Sequence, residues 1–152
     1  MSRALTPVVG VVLLAAVAVV AAGVVGTLAL TEPPDAPPQA TFSLSVDADT
    51  GRVALTHEGG DTLDVSALDV TVSVGGTELT HQPPVPFFAA RGFRGGPTGP
   101  FNAASDGSWG AGGIAAVRLA GTNEPSLSAG DTVTVVLSTE SAVLARLEAT
   151  AT

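Results

Sequence analysis

Polar and apolar positions follow two different rules along this chain. From Ala4 to Leu30 the residues are apolar almost without a break, and no charge occurs between Arg3 and Glu32. From Thr41 onward the pattern alternates. Phe42, Leu44 and Val46 are separated by Ser43 and Ser45, and Val53 and Leu55 by Ala54. Leu68, Val70, Val72 and Val74 are likewise separated by Asp69, Thr71 and Ser73. A continuous apolar run fits a membrane helix, whereas a period of two fits strands with one buried face. The chain therefore divides into a helical beginning and an all-β remainder.

A helix from Pro7 to Leu30 has 24 residues and would be about 36 Å long at 1.5 Å per residue. A bilayer core of about 30 Å needs roughly 20 apolar residues, so this segment can span. Pro7 suits a first helical turn, where its missing N–H does no harm. Gly10, Gly23 and Gly26 weaken a helix in water but are tolerated in lipid. Gly23 and Gly26 lie three apart, not at the four-residue spacing of helix dimer motifs, yet their small size still allows close approach of another helix. A cleaved secretory signal is the alternative, since small residues near Ala29 offer a cut site. Its apolar region is about 7–15 residues, and the run here is much longer. The anchor is the stronger expectation.

The proline-rich stretch Thr31–Ala40 reads as a stiff, extended linker. The region 41–152 is large enough for one domain with a core. Asp47–Gly51 closes a first hairpin between strands 42–46 and 53–57. Gly75-Gly76 closes a second, between 68–74 and 77–81. Strands at 114–119, 132–138 and 143–149 complete a set of seven. Short strands, regular turns and no amphipathic helix predict an Ig-like antiparallel β-sandwich. Residues 82–113 break this rhythm with five prolines, many glycines and most of the aromatics. A loop this long is uncommon without a role. Phe87, Phe88 and Phe93 with Arg91 and Arg94 are a candidate interface. The competing expectation is that the phenylalanines fold back over one sheet, with Trp109 at the sandwich edge.

Charge narrows the partners. The chain carries 14 acidic residues, six arginines, no lysine and a net charge of −8. This excludes a phosphate-backbone reader, so no nucleic-acid partner is expected. An acidic, lysine-free surface suits high salt, where screening shortens to about 3 Å near 1 M. With no cysteine, neither a disulfide nor a lipid-modified cysteine is available.

Catalytic chemistry finds little to stand on. His57 and His81 sit at expected strand ends, and no short ligand motif ties them to Asp61 or Asp64. The Gly-Gly-Asp and Ala-Gly-Asp triplets at 59–61 and 129–131 lack the alternating oxygen ligands of a calcium loop. No serine lies in a Gly-x-Ser-x-Gly elbow, and Gly92-Phe-Arg-Gly-Gly-Pro is followed by neither helix nor lysine. No enzyme activity, metal or cofactor is expected.

The stretch Arg3-Ala4-Leu5-Thr6-Pro7-Val8-Val9-Gly10-Val11, followed by an uninterrupted apolar helix, resembles the archaeal type IV pilins, especially those of halophiles. Leu55–Leu63, Trp109–Gly112 and Leu127–Asp131 extend the resemblance into the β region. The resemblance implies a prepilin leader at 1–4, cut by a prepilin peptidase between Ala4 and Leu5, with Arg3 before the cut. It implies that residues 5–30 form a membrane helix and later a filament core, with Pro7, Gly10, Gly23 and Gly26 in that core. It further implies a homo-oligomeric surface filament, an assembly platform as partner, a head domain outside the cell, and a role in adhesion. Major and minor subunits both fit. Two departures stand out: the long Pro/Gly/Phe insertion, and Val9 where bacterial pilins carry a glutamate. The rival from another class is a monomeric, single-pass surface protein that binds through its sandwich.

Overall fold

A computed structural model describes residues 5–29 and 32–152, with the backbone alone for 5, 6 and 25–29. Arg3, Ala4, Leu30 and Thr31 lie outside the described residues, as do the surroundings of Gly26. The chain forms two compact units, residues 1–36 and 37–152.

In the first unit, α1 spans Leu5–Ala29. Valine is a modest helix former in water because its χ1 is restricted. In an apolar medium every backbone N–H and C=O must be satisfied internally, and a helix does that within one segment. Pro7 falls in the first turn, as its missing donor requires. Residues 7–24 are long and apolar enough to cross a membrane.

The second unit, the head, holds nine strands. They are β1 (Ala40–Asp47), β2 (Arg52–Gly60), β3 (Leu63–Asp64), β4 (Asp69–Val74), β5 (Thr77–Glu78), β6 (Ser108–Trp109), β7 (Ile114–Arg118), β8 (Thr132–Ser138) and β9 (Val143–Thr150). One antiparallel sheet has the order β1-β2-β7 and the other β5-β4-β8-β9, with β3-β6 as a separate pair. Val46, Val53, Leu55 and Val117 from the first sheet share one core with Val70, Val72, Val133, Val135 and Leu137 from the second. The expected helix and β-sandwich are both present.

The strands differ from expectation in three places, each for a local reason. β5 stops at Glu78 instead of continuing to His81, because a side chain takes over the ladder. Gln82 Oε1 accepts from the Val72 N–H at 2.7 Å, and its Nε2 donates to the Val72 carbonyl at 3.0 Å. β2 runs on to Gly60, past the expected end at His57, through a bulge opposite Thr41 and Phe42. The two-residue strands β3 and β6 are too short to leave a period in the sequence. The Gly75-Gly76 turn does match its expectation. Both glycines have positive φ (58° and 84°), as a two-residue hairpin turn of this hand demands.

The two ends of the sandwich can be told apart. At the Ala40 end, the Gln39 carbonyl accepts from the Asp61 N–H at 2.8 Å, and the Gln39 N–H donates to Asp61 Oδ2 at 2.9 Å. Val143 and Leu144 border a groove there with Pro37–Thr41. At the Asp47 end, Thr152 N donates to the Val46 carbonyl at 3.1 Å and Ala48 N donates to Thr152 O at 2.9 Å.

Candidate functional site

The helix offers one candidate surface. Its described side chains include Val8, Val9, Leu13, Leu14, Val17 and Val20, all exposed. Beyond the backbone of their own helix turns, Gly10 and Gly23 have no described atom within 4 Å of where a Cβ would stand, leaving room for a neighbour. Of the processing residues, Leu5 opens the described helix.

In the head, the Pro/Gly/Phe excursion divides its aromatic residues. Phe87, Phe93 and Phe101 are buried, and Phe87 and Phe93 meet at 5.6 Å between ring centroids. Trp109 is fully buried, well inside the edge position expected for it. It meets Phe101 at 5.2 Å and Phe42 at 5.1 Å, and its Nε1 donates to the Gly113 carbonyl at 3.0 Å. Burying such rings stabilises a head that has few other large side chains. Of the five residues considered as an interface, Phe88 is 66% exposed and Arg91 and Arg94 are at the surface.

His57 also departs from its expected place at a strand end. Because β2 continues, His57 keeps the inward parity of Val53 and Leu55 and is wholly buried. Its ring packs edge-on against Phe42 and Trp109, and Nε2 lies 2.8 Å from the Asp61 carbonyl. Since a carbonyl only accepts, Nε2 carries the proton. Nδ1 is then the bare acceptor, buried without a partner among the described residues. His81 is elsewhere, held through its backbone by Asn123. Among the described residues no three His, Cys, Asp or Glu side chains gather to hold a metal.

Asp64 is capped into place by its own sequence neighbour. It precedes a 3-10 turn at Val65–Ala67 and accepts from the Ser66 hydroxyl at 2.6 Å and the Ser66 N–H at 2.9 Å. These bonds hold its carboxyl below the usual aspartate range.

Three arginines gather at the Asp47 end of the head. Arg52, Arg94 and Arg118 line a groove of about 150 Å³ together with Gly95, Gly96 and Thr98. Sequence reasoning missed this cluster, because the three lie far apart in the chain. The signal that could have found it is the alternation that places Arg52 and Arg118 at strand ends.

A helix apolar on every side, joined through a proline-rich segment to an all-β head, defines a subunit with an apolar stalk and a folded head. Residues 3–42 match the family model for the archaeal type IV pilin N-terminal domain. The match covers the helix, the linker and the first residues of β1, and leaves most of the head outside. It bears out the family resemblance over this region: the chain begins as an archaeal type IV pilin does, and the match supports a pilin-like subunit. No curated protein matches the chain.

Proposed function

We propose that this chain is a structural subunit, major or minor, of an archaeal type IV pilus-like filament that serves adhesion. The observation that carries the reading is the pilin N-terminal match over residues 3–42, lying on a helix with no charged residue. In this reading prepilin peptidase cuts between Ala4 and Leu5 on the cytoplasmic side, so the helix survives. The helix first rests in the membrane and then passes through an assembly platform into the filament core. Its apolar surface leaves lipid for the equally apolar faces of its copies, and small residues let backbones pack closely. The head stays outside the cell, and its acidic, lysine-free surface is adapted to high salt.

The test is N-terminal sequencing together with imaging and mass spectrometry of filaments sheared from cells. A mature chain that starts at Leu5 and is abundant in the filaments is the expected result. A start at or beyond Thr31 would mean an ordinary cleaved signal. Correctly processed protein absent from filaments would instead favour the monomeric surface protein.

A further inference from the structure

The five arginines of the head are unevenly placed: three gather at the Asp47 end, where Asp47, Asp49 and Asp131 also lie. Arg52 and Arg118 are direct partners in the β2–β7 register. Partners in register project from the same face of a sheet. Their neighbours Val53 and Val117 are buried, so the arginines stand on the opposite, outer face. Like charges directly opposite one another destabilise a sheet. Arg94 adds a third charge: its backbone N–H donates to the Arg118 carbonyl at 2.8 Å and its Nη2 to the Thr50 carbonyl at 2.6 Å.

No direct ion pair among the described residues holds the cluster, although carboxylates lie nearby. Among the described residues no carboxylate lies within ion-pair distance of these arginines, and the Arg52 and Arg118 guanidinium groups make no hydrogen bond to protein. Asp47 is the cross-strand neighbour of Arg52, but it accepts from the Thr50 N–H at 3.1 Å in its own turn. Asp49 shares an adjoining groove with Arg94 and Arg118. The backbone N–H groups of Gly95 and Gly96 also donate to no protein atom among the described residues.

The Ala40 end has carboxylates without a nearby arginine. Asp69 lies there opposite Ser138, and Glu140 sits at the tip of the β8–β9 hairpin, close to the exposed Val143. No arginine of the head is at that end. Arg91 precedes Gly92, whose carbonyl accepts from Ala120 just beyond β7, and Arg146 lies mid-strand opposite Val136. From residue 41 on, the head carries twelve acidic residues against five arginines, so contact between copies needs a local reversal of sign.

We propose that the groove of Arg52, Arg94 and Arg118 receives carboxylates from the Ala40 end of a second copy of this chain, Glu140 foremost. Guanidinium forks bind carboxylates in a paired, directional geometry, which fixes register as well as attraction. A contact between two different ends of identical heads is heterologous. Such contacts extend into open helical assemblies when the rotation does not close. The inference rests on the filament reading and adds to it which surfaces of the heads meet.

The experiment uses full-length protein in cells that assemble filaments. Arg118→Glu and Glu140→Arg are each made alone and then together. Each single variant should keep the level of processed, membrane-held protein while sheared filaments fall at least about tenfold, since attraction becomes repulsion at every repeat. The double variant should regain filaments. A second measurement guards against loss through misfolding: the chain has no cysteine, so an Arg118→Cys/Glu140→Cys variant, oxidised on intact filaments, should give a ladder of disulfide-linked multimers. Single variants that assemble like wild type, or a double variant with no recovery and no ladder, overturn the contact. Binding of inorganic sulfate that is abolished by Arg118→Glu, with filaments unchanged, would overturn it in favour of a free oxyanion. Wild-type protein missing from the filaments removes both the filament reading and the contact, and is told apart from the other failures by the wild-type lane alone.

Discussion

Asn123 grips His81 by both of its amide atoms. Its Oδ1 accepts from the His81 N–H at 3.0 Å, and its Nδ2 donates to the His81 carbonyl at 2.9 Å. The same Nδ2 donates to the Gly92 carbonyl at 3.1 Å. One buried side chain thus stands in for a strand and ties three loop segments together. Gly92 has φ of 89°, and a Cβ there would come within 2.7 Å of Asn123 and His81, so the close approach depends on glycine.

Asn123→Ala removes three hydrogen bonds from a site that is 1% exposed. At about 1 kcal/mol for each bond, the head should lose roughly 3 kcal/mol. Denaturant unfolding at fixed salt measures this. An unchanged midpoint would mean that the loops hold together without this side chain.

What is legible in the sequence depends on what leaves a period there. The strands around Val46 and Val72 are readable because one face is apolar and the other polar, as at Val70, Val72 and Val74. The pilin start at Arg3–Val11 is readable because it is contiguous. The Asn123 clamp and the Gln82 ladder are not, because each pairs a side chain with backbone far away in the chain or across a turn. The arginine groove is hidden for the same reason. His57 lies inside its strand and not at the expected end, because the strand continues past it through a bulge.

Asp64 gives a pH prediction. Its folded carboxyl is held below the usual range, first by the Ser66 hydroxyl and then by the Ser66 N–H. A group whose pKa is lowered on folding contributes stability above its unfolded pKa and loses it as pH falls through the folded one. Asp64→Ala should therefore melt below wild type near neutral pH, and the two should converge as the solution is taken into the acid range beneath ordinary aspartate. Parallel melting temperatures at all pH values would rule out this cap as a source of stability.

Salt should matter to the head as a whole. Residues 41–152 carry a net charge of −7, and the screening length grows from about 3 Å at 1 M salt to about 10 Å at 0.1 M. Repulsion among the carboxylates therefore reaches further as salt is lowered, and the melting midpoint should fall. Thermal scans between roughly 0.1 and 3 M salt measure it. A flat midpoint would remove the argument for salt adaptation.

The helix glycines can be tested without disturbing the head. Gly23→Leu starts from a position with open space beyond its own helix backbone, and Gly26→Leu is its companion three residues on. Both keep the segment apolar, so membrane insertion should survive. Added bulk at a close helix contact costs about 1–3 kcal/mol, repeated at every subunit, so filaments should be sparse or absent. Val20→Asp is the contrasting control, since a charge at the helix centre costs about 3 kcal/mol for insertion itself. Wild-type filament numbers from both glycine variants would show that no neighbour packs there.

The helix also carries a consequence for symmetry. Its described side chains are apolar all around, with no polar stripe and no charge to mark one side. Only the small glycines mark a side of such a rod; polarity and charge mark none. The rods therefore supply cohesion with an azimuth set by shape alone. In the proposed filament, the charged ends of the heads add the polar contacts that help set the angle between successive subunits. Two proteins could share this stalk almost unchanged and still build ropes of different pitch, differing only in a few charged residues at the ends of the sandwich.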